Sequence, residues 1–125
     1  MGRDNQDIGR SGEKAAAEFL KLKGYKIVGS NLRTPFGEID LVARHRGYTV
    51  FVEVKSRSTD SLGPPSLSVT WAKQRHIVKS ALWYLATRGR AHSYWRVDVV
   101  SVKLNSAREI QQIDVIENAV EDDGY

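Results

Sequence analysis

Three features of this chain predict an α/β fold in which one mixed sheet of about five strands is flanked by helices. Apolar residues recur at helical spacing in two separate stretches, and several short segments alternate apolar and polar residues at period two. Their order is helix, three strands, helix, strand, strand, and a long second helix can cross over to place the fourth strand beside the third. With 125 residues, 41% of them hydrophobic, the chain is long enough for one domain with a real core and too short for two.

Residues 1–8 are polar and are expected to form a flexible start, with the domain spanning 9–116 and an acidic tail covering 117–125. Gly9 to Lys23 reads as the first helix, because Ala15, Ala16, Phe19 and Leu20 recur on one face, and Gly24 is its expected stop. Tyr25 to Asn31 alternates as a strand. Pro35-Phe36-Gly37 is turn chemistry, and Glu38 to Ala43 forms the second strand. Arg44-His45-Arg46-Gly47 turns the chain into the third strand, Tyr48 to Lys55. Ser56 to Ser66, with Asp60, Gly63, Pro64 and Pro65, has the composition of a loop and is expected to act as a flap. From about Leu67 to Thr87 the spacing of Trp71, Val78, Leu82 and Leu85 marks a long amphipathic helix ending near Gly89. Trp95 to Leu104 is a strongly alternating fourth strand, and Glu109 to Ile116 is a fifth at an edge.

The polar N-terminus does not read as a secretion signal, and no apolar run is long enough to span a bilayer, so a cytoplasmic protein without membrane contact is expected. The chain has no cysteine, so a bound metal would need oxygen or histidine ligands. The formal charge is +4. Setting aside Glu117, Glu121, Asp122 and Asp123 leaves 19 basic against 11 acidic residues, a body suited to a polyanion such as nucleic acid or simply to solvation.

Glu53 and Lys55 interrupt what otherwise reads as a buried strand. Val50, Val52 and Val54 share one of its faces, while Phe51, Glu53 and Lys55 share the other. Buried charges must be neutralised or partnered. A tight turn would bring Asp40 into register with Glu53, and two carboxylates so placed need a proton or a cation between them. Magnesium or manganese suits such oxygen ligands, and the backbone carbonyl of Val54 is a third candidate ligand. Lys55 would point towards the metal and a docked phosphate, where it could position or deprotonate the attacking water. Glu13 lies on the inward edge of the first helix and either reaches the same site or complements the helix dipole. The plainer alternative for the whole set is a salt bridge between Lys55 and one of the carboxylates on a half-exposed sheet face.

Arg57, on the parity of Lys55, is a candidate phosphate contact. Lys73, Gln74 and Arg75, near the start of the long helix, are candidates for contact with a nucleic-acid backbone. His45, His76 and His92 have no metal-ligand spacing and are expected at the surface. Trp71, Trp83 and Trp95 are expected in the core or at a dimer contact rather than stacking on bases, and Asp98 is expected to face Arg96 or solvent.

Gly12-Glu13 with Ala15-Ala16, Gly24-Tyr25, Asn31-Leu32-Arg33, Gly37-Glu38-Ile39-Asp40-Leu41, Phe51-Val52-Glu53-Val54-Lys55-Ser56-Arg57 and Arg96-Val97-Asp98-Val99-Val100 resemble the bacterial YraN-like family. Glu13, Asp40 and the Glu53-Val54-Lys55 run, taken together, resemble the PD-(D/E)XK nuclease-like superfamily, with Ile39 where the superfamily's name has proline. The resemblance implies a restriction-endonuclease-like core similar to that of archaeal Holliday-junction resolvases. It implies Asp40 and Glu53 as ligands of Mg2+ or Mn2+, Lys55 as the catalytic lysine and Glu13 as the helix carboxylate. The expected activity is hydrolysis of DNA phosphodiesters, at branched or damaged sites, by a homodimer. Two other readings stay open: a non-catalytic nucleic-acid-binding module on the same scaffold, and a protein-interaction adaptor whose ionic cluster is structural.

Overall fold

The computed structural model describes residues 2–58 and 71–119. The expected flap from residue 59 on, the expected helix start at Leu67 and the acidic tail beyond Ala119 lie outside the described residues. The elements follow in the order α1 (Gly2–Leu22), β1 (Lys26–Thr34), β2 (Gly37–His45), β3 (Tyr48–Ser58), α2 (Trp71–Thr87), β4 (Trp95–Leu104) and β5 (Ile110–Ile116). The strands make one sheet in the order β1-β2-β3-β4-β5. Only β3 and β4 run parallel, as the α2 crossover requires; the other neighbours are antiparallel.

This is the α/β class with a mixed five-stranded sheet between helices, consistent with a nuclease-like core. The strand alternation sorts the two faces. Val50, Val52, Val100 and Val102 pack with Ala16 and Leu20 of α1, whereas Phe51, Val97 and Val99 pack with Val78, Ala81 and Leu85 of α2. Each helix covers one face, so the central strands β3 and β4 are apolar on both sides.

Several boundaries differ from the sequence reading. α1 begins at Gly2 rather than Gly9, so the polar start is helical. β3 runs on to Ser58, through residues expected as loop, because β4 continues to pair with it as far as Ser58↔Leu104.

His45 corrects the expectation of a surface histidine. It is buried, its ring stacks on Tyr25 with centroids 3.9 Å apart, and its Nδ1 accepts from Arg96 Nη2 at 2.7 Å. Burial and the adjacent Arg96 charge hold His45 below the usual histidine range. Asp98 faces Arg96 and not solvent. It is fully buried and accepts from Tyr25 Oη at 2.7 Å, Arg96 Nε at 3.0 Å and the Asn118 amide at 3.0 Å. Burial and Asp98 together raise the Tyr25 phenol. Trp95 meets Phe51 edge-on at 6.2 Å against the α2-side core, and Trp83 is half-buried. His76 and His92 are exposed, as expected.

Candidate active site

The β2–β3 ladder runs from His45↔Tyr48 to Leu41↔Val52 and stops. The next pair in that register would be Asp40 and Glu53. Beyond this point β1 still pairs with β2 as far as Thr34↔Gly37, and β3 still pairs with β4 as far as Ser58↔Leu104. The sheet therefore forks at the position of the two carboxylates. Asp40 bridges the fork, with Oδ2 accepting from the Val54 amide at 2.8 Å in place of a backbone carbonyl. A residue's N–H and C=O project to the same side of a strand, so the Val54 carbonyl faces the fork as well.

Glu53 lies inside the fold with 6% of its surface exposed. Its Oε1 is 2.7 Å from the Lys73 ammonium and 3.6 Å from that of Lys55. Burial, and then the charge of Glu53, push Asp40 from an ordinary 3.8 up to about 7, against the opposing pull of the Val54 hydrogen bond. Glu13 adds to the same repulsion and is itself raised, first by burial and then by the charges of Glu38 and Glu53. With its amide nitrogen turned to the carboxylates, Asn31 donates to Glu13 Oε2 at 3.1 Å and to Glu38 Oε1 at 3.0 Å. Asn31 adopts φ +49° within β1, and asparagine tolerates that conformation better than most residues.

Lys55 is half-buried and held below the usual lysine range, by burial first and then by the adjacent Lys73. Lys73 shifts the other way. Burial alone would lower it, but its hydrogen bonds to Glu53 and Lys55 outweigh that and raise it. Of two neighbouring lysines, one is thus anchored as a cation by Glu53 and the other is the readier to give up a proton.

Gly12 sets how closely α1 approaches this end of β3. A side chain there would collide with the Ser56 hydroxyl and press on its Cβ at 3.3 Å. That contact carries Glu13, the next residue, to the fork. Since α1 starts at Gly2, Glu13 lies in mid-helix, and the alternative that it complements the helix N-terminus is removed.

The structure thus brings together Glu13, Asp40, Glu53, Val54 and Lys55, as expected. Lys73, a candidate contact to a nucleic-acid backbone, places its ammonium 2.7 Å from Glu53 Oε1. Arg57 lies further along β3 opposite Lys103, and Gln74 and Arg75 follow Lys73 on α2; all three are half-buried. Sequence reasoning missed Lys73 and Asn31 as members of the site. A lysine one turn into a helix looks like any solvated position, and only its closeness to Glu53 marks it. A cavity of about 260 Å³ opens beside Glu53 and Lys73, between Phe36, Glu38 and His76. A larger one, of about 550 Å³, lies elsewhere and contains none of these groups.

Among the described residues, no three His, Cys, Asp or Glu side chains converge as a ready-made metal cage. The donors at the fork are two carboxylates and a carbonyl, which fits Mg2+, a cation that commonly takes one or two carboxylates and keeps several waters. No described helix is long and apolar enough to cross a membrane.

Residues 12–102 match the model of the uncharacterised protein family UPF0102. This chain belongs to the UPF0102 family. A UPF0102 protein of Desulfosudis oleivorans is 52% identical, covering 82% of this chain and 84% of the relative. UPF0102 proteins of Geobacter metallireducens and Caldicellulosiruptor saccharolyticus are 42% and 39% identical and cover 98% of each relative. The matched UPF0102 segment begins beside Glu13 and ends within β4, so it contains every carboxylate and lysine of the fork.

Proposed function

We propose that this protein is a divalent-metal-dependent nuclease that hydrolyses DNA phosphodiesters, within the PD-(D/E)XK superfamily that its motifs resemble. The observation that carries the reading is the sheet fork, where the Asp40 carboxyl is driven up to about 7 beside the buried Glu53 and within the same ionic cluster as Lys55. A site that gathers like charges out of water calls for a cation.

Asp40, Glu53 and the Val54 carbonyl would hold Mg2+ or Mn2+, which when bound supplies Lewis acidity to a phosphate and an activated water. Lys55, held below its usual range, is suited to accept a proton from the attacking water or to offset charge on the phosphate. Glu13 and Asn31 hold the outer edge of the acidic cluster. Arg57, Gln74 and Arg75 are the candidates for steering a nucleic-acid backbone towards the fork, and a homodimer would present two such forks to a duplex.

The test is incubation of the pure protein with Mn2+ or Mg2+ and labelled linear and branched DNA, beside Asp40→Asn, Glu53→Gln and Lys55→Ala. Cleavage that needs the metal and is lost in all three variants, while their folds persist, supports the reading. Equal cleavage by wild type and variants refutes it.

One observation favours a second reading, a nucleic-acid-binding module that does not cut. The Lys73 ammonium lies 2.7 Å from Glu53, in the place where a cation would be needed. Under that reading DNA binding is salt-sensitive, indifferent to divalent ions and unaccompanied by cleavage.

A further inference from the structure

The larger cavity lies at the opposite end of α2 from the fork. Between Lys73 and Thr87 the helix rises about 21 Å, and along β2 the step from Asp40 to Arg44 is about 13 Å. The cavity measures about 550 Å³, the size range of a small-ligand site. Lys26, Arg44, Arg88 and Arg90 line it with Val28 and Tyr84, and no acidic residue is among them. None of the four cations has an ion pair among the described residues.

These cations come from three separate segments, and the side chains of two of them are held in place. Arg44 Nη1 donates to Thr49 Oγ1 at 2.8 Å, fixing one end of its guanidinium. The Arg88 guanidinium lies over the Tyr84 ring at 3.8 Å, and its Nη1 donates to Thr87 Oγ1 at 3.1 Å. Gly89, at φ +67°, reverses the chain so that the Arg90 amide bonds back to the Leu85 carbonyl at 2.7 Å, which sets Arg90 beside Arg88 at the cleft. Arginines at a helix C-terminus complement its dipole, which accounts for Arg88 and Arg90 but not for Lys26 and Arg44 on the sheet.

We infer that this cleft binds the phosphates of a nucleotide, whether free or within a nucleic-acid strand. Two positioned guanidinium groups, a third arginine and a lysine supply donors for phosphate oxygens. The Arg88 plane, backed by Tyr84, is a surface on which a base stacks, and Val28 adds an apolar wall. The inference does not rest on the nuclease reading, since no group of the fork takes part.

The test is binding of a labelled ten-nucleotide single strand to the full chain in EDTA, read by fluorescence anisotropy across a salt series, with ADP and pyrophosphate as unlabelled competitors. Arg44→Gln with Arg88→Gln is compared with Lys21→Gln with Lys23→Gln, which removes the same charge from the exposed end of α1. Losing two phosphate contacts lowers the salt slope by about 1.4 and weakens binding by about tenfold; the α1 control stays within about twofold of wild type. Arg90→Gln, at an exposed position, repeats the test where a folding defect is not expected. Displacement by ADP that disappears in the cleft variant identifies a free nucleotide as the occupant. A strand that binds through the cleft and resists ADP identifies nucleic acid. Equal weakening in the cleft and α1 variants, or no binding of strand, ADP or pyrophosphate, overturns the inference. Cleft binding is read in EDTA and cleavage only with the metal, so loss of one and loss of the other are separately observed.

Discussion

Asp40→Asn is expected to make the protein more stable above neutral pH while removing its proposed activity. Burial and the Glu53 charge raise the Asp40 carboxyl from 3.8 to about 7. The folded state therefore holds a proton that the unfolded chain releases, so stability falls as pH rises from about 4 to about 7 and is flat above. The full span corresponds to a ceiling of roughly 4 kcal/mol at pH 8. Asparagine carries no charge and keeps an oxygen for the Val54 amide, although a neutral acceptor is weaker by about 1 kcal/mol than a charged one. A gain of about 2 kcal/mol is expected, or roughly 8 °C in Tm for a domain of this length. Thermal unfolding of both proteins in EDTA between pH 5 and pH 9 measures it. The advantage of Asp40→Asn should be large at pH 8 and nearly gone at pH 5. A difference independent of pH, or a variant less stable at pH 8, would refute the account of a repulsive carboxylate pair.

Lys73→Met leaves Glu53 buried with, among the described residues, the more distant Lys55 as its ion-pair partner and should cost about 1–2 kcal/mol in urea unfolding at pH 7.5, the half-exposed lysine limiting the effect. Adding Glu53→Gln should restore most of that loss, and a double variant no more stable than Lys73→Met would contradict the pairing. Asp98→Ala strands Arg96 and the Tyr25 hydroxyl in the core and should cost about 3–5 kcal/mol, against about 1–2 for Tyr25→Phe; equal costs would show that the charge matters little. Gly12→Val presses on Ser56 and should destabilise by about 2 kcal/mol while lowering cleavage through displacement of Glu13, with Ser56→Gly giving partial rescue. Retention of full stability and cleavage by Gly12→Val would mean that α1 does not need that close approach.

The strands were legible because alternation is a property of single segments. Val50 to Val54 and Val97 to Val102 announce their two faces without knowledge of what covers them. Asp40, Glu53 and Lys55 were legible because charge inside such a strand has no structural need to be there. His45 was not, because the basic turn residues beside it suggest solvent, and its burial depends on Tyr25 and Arg96 from distant segments. Lys73 was legible only as a candidate backbone contact, not as a partner of Glu53, for the same reason: that partner is on another element. The basic cleft was invisible because its cations come from the start of β1, the end of β2 and the turn after α2, and only the fold gathers them.

Asn31 also bears on how the molecule meets its own copies. β1 is an outer strand of the sheet, the kind of border along which chains add strand to strand and aggregate. Its register slips between Ile27 and Gly29, and two residues later Asn31 turns left-handed. A second chain would find no straight row of amides and carbonyls to copy. The irregularity that presents an amide to Glu13 and Glu38 thus also guards the sheet against self-association, and Asn31→Val would put solubility at risk along with the acidic cluster.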